Sequence, residues 1–138
     1  MTDELKRKKA ADLGALEFAY IGDCVYELFV REAVIACGTR KVSALHKVVT
    51  SYVCAPAQAD AAKAIFEMLN ENEKAIFIRA RNAGHHSVPK GCTISQYSRA
   101  TALEAVLGYL YLCGESERLQ ELCEFCMSHN QESKGKTN

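Results

Sequence analysis

Apolar residues recur at helical spacing along most of the chain, and no segment shows the alternation of a strand. The strongest block is Leu16 to Arg31, LEFAYIGDCVYELFVR, apolar or aromatic through nearly its whole length. It belongs to a first long helix that Asp12 caps and that runs to about Cys37, with Gly38 suited to its C-terminal stop. Within it Glu27 and Arg31 are four apart, in the favourable order for an ion pair. Val42, Leu45, Val48, Val49 and Tyr52 keep the helical period over a second helix, about 42–53. Pro56 suits the first turn of a third, about 56–69. Asn70 followed by Glu73 makes a capping-box start for a fourth, to about Ala83, and Thr93 with Gln96 opens a fifth, about 94–113, before Gly114. Ser116 caps a sixth, about 117–128. Gly84 to Cys92, with its two glycines and proline, is the one long irregular connection. Residues 1–11 read as a polar basic arm, 12–129 as the folded domain and 130–138 as a disordered tail. The expected architecture is all-α: a single compact helical domain of about six helices.

Two polar intrusions break this pattern. Gly22-Asp23 sits in the middle of an otherwise apolar helix, where glycine costs about 1 kcal/mol against alanine. Aspartate is seldom buried without a partner, so Asp23 needs a cation, a hydrogen-bond network or a metal. The fifth helix, SQYSRATALEAVLGYLYL, mirrors the first with Glu104 and Gly108. At 100° per residue Tyr97, Thr101, Glu104 and Gly108 form one stripe, and Ala19, Asp23 and Glu27 form a comparable one. Glycines beside each acid would let the two helices approach closely. Two facing acids would then repel unless a cation lies between them, and hard oxygen donors select Mg²⁺ or Mn²⁺. Two plainer outcomes stay open: pairing with an arginine such as Arg31 or Arg99, or escape to solvent at a helix end.

Charge changes the picture only through its distribution. Seventeen basic and seventeen acidic side chains cancel, so the total names no partner. From Lys74 to Leu103, however, there is no acid, while Lys74, Arg79, Arg81, Lys90 and Arg99 are all cationic. Asn82, His85, His86, Ser87 and Tyr97 lie among them, a mixture that suits a phosphate backbone. The plain alternative is a solvated loop balanced by Glu67, Glu71 and Glu73. Beside a carboxylate pair, the basic stretch makes phosphodiester hydrolysis the natural reaction class, with a divalent ion to activate water and neutralise phosphate charge. Seven cysteines, a charged start (MTDELKRKKAADLG) and no apolar run of ~18 residues favour reduced thiols in a cytoplasmic protein without a membrane span. Cys123, Cys126 and His129 have ligand-like spacing but lack the second pair of a zinc site, so they read as residues of a terminal helix.

Tyr20-Ile-Gly-Asp-Cys-Val-Tyr-Glu27 resembles the signature helix of ribonuclease III domains. Arg79-Ala-Arg-Asn-Ala83, Val88-Pro-Lys90 and Ala102-Leu-Glu-Ala-Val-Leu-Gly-Tyr-Leu-Tyr-Leu112 resemble its Mini-III branch, over about Leu13 to Leu122. The resemblance leaves no residues for a double-stranded-RNA-binding domain, as that branch expects. It implies a homodimeric, Mg²⁺-dependent endoribonuclease (Mn²⁺ substituting) that cuts double-stranded RNA and trims precursor 23S ribosomal RNA. It assigns Asp23 as the catalytic aspartate and Glu104 as the metal-binding glutamate. Arg79, Arg81, Lys90 and Arg99 become backbone contacts, His85 a loop residue touching RNA, and Asn82 either a loop support or a sugar contact. Full-length ribonuclease III carries further acids where this chain has Ala19 and Thr101, a reduction the Mini-III branch shares. Thr101 and Glu27 stand one turn from the acids as second-layer candidates, with the pair to Arg31 as the other role for Glu27. The main rivals are a catalytically silent ribonuclease III-like scaffold that binds RNA or the ribosome, and a helical protein-interaction module.

Overall fold

Six α-helices and one 3₁₀ turn make up the regular structure of a computed structural model that describes residues 12–38, 41–83 and 87–135. Helices α1 (Ala15–Ala36), α2 (Val42–Val53) and α3 (Ala55–Ile65) lead into the 3₁₀ turn Phe66–Met68, and α4 (Glu71–Arg81), α5 (Ile94–Leu112) and α6 (Ser116–Gly135) follow. No strand occurs among the described residues, so the all-α expectation holds.

Local chemistry explains most boundaries. Both capping boxes form: Asn70 Oδ1 accepts from the Glu73 N–H at 2.9 Å, and Thr93 Oγ1 accepts from the Gln96 N–H at 3.0 Å. Pro56 occupies the first turn of α3, and Gly38 adopts the left-handed φ of +101° that closes α1. Helix α1 starts later than expected. Gly14, not Asp12, is its cap, and the Gly14 N–H donates to Glu17 Oε1 at 3.1 Å.

The tail is a larger correction. Residues 130–135 are helical, not disordered, because α6 runs on to Gly135. Polar composition misleads here because the polar groups have distant partners. Lys134 Nζ lies 3.4 Å from the Tyr52 ring centroid and donates to Ser51 Oγ at 2.6 Å, while His129 and Ser133 both bond Asp60. The arm at 1–11 and residues 136–138 lie outside the described residues.

Helix α5 is buried on nearly every side and packs against α1, α3, α4 and α6. Cys123 and Cys126 point into the core beneath it, and burial pushes the Cys123 thiol up to about 12. With His129 turned to Asp60, the trio is no metal site; no group of three metal-ligating side chains occurs among the described residues. One buried ion pair had no local signal in the sequence. Arg118 on α6 reaches Glu73 at 2.8 Å and 3.0 Å and the Met68 carbonyl at 2.7 Å, stitching α6 to α4 and the 3₁₀ turn. Burial alone would raise the Glu73 carboxyl, but hydrogen bonds from Arg118 and Asn70, with the Arg118 charge, hold it below its ordinary value.

Candidate functional site

The site begins with two glycines. A Cβ on Gly22 would lie 1.7 Å from the Glu104 carbonyl oxygen, and one on Gly108 would lie 1.9 Å from that of Phe18. The backbones of α1 and α5 therefore touch, at a separation that no side chain permits. This contact brings Asp23 beside Glu104. Burial first, then a hydrogen bond to Asp23 and its negative charge, push the Glu104 carboxyl up to about 9. In the metal-free protein the two acids are thus held close enough that Glu104 keeps its proton at neutral pH. The arginine alternative fails: Arg31 pairs with Glu27 at 2.8 Å, and Arg99 donates to Ser95 Oγ at 3.1 Å. The expectation of a buried aspartate fails too, because Asp23 is exposed to solvent and only Glu104 is half-buried.

Around the two acids lies a concavity of about 300 Å³, lined by Leu16, Ala19, Tyr20 and Asp23 from α1 and by Tyr97, Thr101 and Glu104 from α5. Ala19 and Thr101 are both buried, and the Thr101 hydroxyl donates to the Tyr97 carbonyl at 2.8 Å. Leu16 and Tyr20 were not singled out from the sequence as lining; their signal was their place, one or two turns before Asp23. Glu27 does not line the pocket and is joined to Arg31 instead.

The cations form no part of the pocket wall. Arg79 and Arg81 are exposed in the last turn of α4, and Arg81 Nε donates to Asn82 Oδ1 at 3.5 Å, where Asn82 caps that helix. Lys90 is exposed in the following turn and Arg99 is half-buried on α5. His85 lies outside the described residues. A more apolar hollow between α1 and α2, around Ile35, Val42 and Leu45, carries no carboxylate.

Asp23 and Glu104 offer a donor set made only of carboxylate oxygen, one of them raised by burial and by its neighbour. Such a set fits a small hard divalent ion, which keeps several waters and takes one or two carboxylates together with substrate phosphates. Two acids are too few for a closed structural site, and they leave room for a substrate.

Residues 16–115 match the family model for the Ribonuclease III domain. Fold and family together define the molecule as an endoribonuclease hydrolase of the ribonuclease III type. The chain is 43% identical over 123 residues to the Mini-ribonuclease 3 of Thermoanaerobacter sp. strain X514, covering 89% of this chain and 87% of that one. It is 39% identical over 117 residues to the Mini-ribonuclease 3 of Enterococcus faecalis, covering 83% and 89%. A crystal structure of a Fusobacterium nucleatum protein shares the fold with a TM-score of 0.78 and 33% identity, covering 85% of this chain and 95% of that one. The chain belongs to the ribonuclease III family, in its Mini-ribonuclease 3 group.

Proposed function

We propose that this endoribonuclease uses Mg²⁺ to hydrolyse double-stranded RNA in the cytoplasm, and that precursor 23S ribosomal RNA is its substrate. The observation that carries the reading is the Asp23–Glu104 pair held together by the Gly22–Gly108 contact. Asp23 and Glu104 would hold the divalent ion, with Glu104 in its deprotonated form. When bound, the ion supplies charge neutralisation at the phosphate and activation of water. Ala19 and Thr101 add no further acid to the wall, so two acids from each chain carry the metal chemistry. Exposed Arg79, Arg81 and Lys90, with Arg99, hold the RNA backbone, aided by Asn82 and His85. A-form duplexes display little sequence to side chains, so recognition rests mainly on shape. The ribosomal precursor follows from the Mini-III resemblance.

The same reading includes a homodimer. Leu16, Tyr20 and Leu28 are 46%, 82% and 59% exposed, and with exposed Cys24 they stand four apart on α1, beside the pocket. A second copy laid on that stripe would cover it and supply the second pocket for the opposite strand. No helix among the described residues is long and apolar enough to cross a membrane.

Asp23→Asn tests the reading. It should reduce cleavage of an RNA duplex in Mg²⁺ by at least about a thousandfold while duplex affinity changes little. Wild-type protein that binds duplex and never nicks it would make the molecule a silent scaffold instead, a role that the uncharged Ala19 and Thr101 would then explain.

A further inference from the structure

Asp23 and Glu104 are the acids of the pocket, and Tyr97 lines it with them. Tyr97 precedes Glu104 by two turns of α5, about 10 Å along its axis, and at 100° per residue both face the same way. Helical side chains lean toward the N-terminus, which carries the half-buried phenol further along the pocket. Thr101, between them, directs its hydroxyl at the Tyr97 carbonyl. Among the described residues no lysine or arginine lines this concavity. Once both are deprotonated the two carboxylates are acceptors only, whereas the phenol can donate.

An RNA strand that places one phosphate at the carboxylates must run its neighbouring phosphates along the wall. Those phosphates present charged acceptor oxygens, and a hydrogen bond to a charged acceptor is worth more than one to a neutral sugar hydroxyl. We propose that the Tyr97 phenol donates a hydrogen bond to a backbone phosphate flanking the scissile one, and so sets which bond lies over Asp23 and Glu104. Tyr97 is thereby a substrate-positioning contact. The inference rests on the double-stranded-RNA reading above.

The test uses the full chain in Mg²⁺ and a short RNA duplex whose cut position has been mapped. Tyr97→Phe keeps the ring and removes only the donor. It should lower kcat/KM about tenfold and spread cutting to adjacent bonds. A neutral methylphosphonate at the flanking phosphate, on a 2′-deoxy nucleotide and compared with the same duplex carrying only that deoxy change, should cost the wild type a similar factor. It should cost Tyr97→Phe almost nothing, since the contact is already gone. A merely structural role for the phenol would leave the methylphosphonate penalty equal in both proteins, and that result overturns the proposal. Wild-type rate and cut position in Tyr97→Phe would overturn it too. Failure of the wild type to cut the duplex would instead remove the double-stranded-RNA reading, and this contact with it.

Discussion

At the scale of single residues, the proton on Glu104 sets a measurable pH dependence. Its carboxyl is raised from an ordinary 4.5 to about 9 in the folded protein, so between these values the folded state binds a proton that the unfolded state does not. The corresponding stability is complete below about 4.5 and drains away as pH rises through about 9. Melting temperature of the metal-free protein should therefore fall from pH 5 to pH 9 more steeply for wild type than for Glu104→Gln, which has no proton to lose. Added Mg²⁺ should stabilise the wild type more at pH 9 than at pH 6, because the ion needs the deprotonated pair. Parallel melting curves for the two proteins would remove the raised carboxyl. Both acids were legible in the sequence, since a carboxylate is out of place within an apolar helix. Tyr97 was legible too, on the same helical stripe as Glu104, whereas Leu16 and Tyr20 look like any apolar helix residues until the pocket is seen.

At the scale of elements, the α1–α5 crossing decides whether the acids meet. Glycine to alanine within a helix ordinarily stabilises by about 1 kcal/mol. At Gly22 and Gly108 the sign reverses, because the added carbon meets backbone oxygen at 1.7 Å and 1.9 Å and backbone cannot swing aside. Gly22→Ala should cost about 2 kcal/mol in urea unfolding and should separate Asp23 from Glu104 enough to suppress cleavage. A variant with unchanged stability and activity would show that the helices can part without consequence. The crossing was readable because glycine and acid recur together on both helices. Capping boxes were readable for a similar reason: their partners are three residues apart. The last turns of α6 were not, because Asp60, Ser51 and Tyr52, which hold them, are far away in sequence. Arg118 was hidden in the same way, since nothing near position 118 announces Glu73.

At the scale of the whole molecule, the exposed stripe on α1 separates a monomer from a dimer. Helix α1 has apolar residues on more faces than its own chain covers. Phe18, Tyr26, Val30 and Val34 fill the core, while Leu16, Tyr20 and Leu28 are left to water. Burying such side chains is worth about 25 cal/mol per Å², so a second copy on this face gains from each of them. Leu28 is the cleanest probe, because it belongs to the stripe and does not line the pocket. A charge there, Leu28→Glu, would be buried against apolar surface in the dimer but solvated in the monomer. Wild type should sediment as a dimer, and Leu28→Glu as a monomer with the same helical circular dichroism. The products should change as well. Two pockets facing opposite strands cut both in one encounter, whereas a monomer with one pocket should leave nicked duplex as its first product. Wild-type protein that sediments as a monomer, or Leu28→Glu protein that remains dimeric and cuts both strands at once, would take the second pocket off this face.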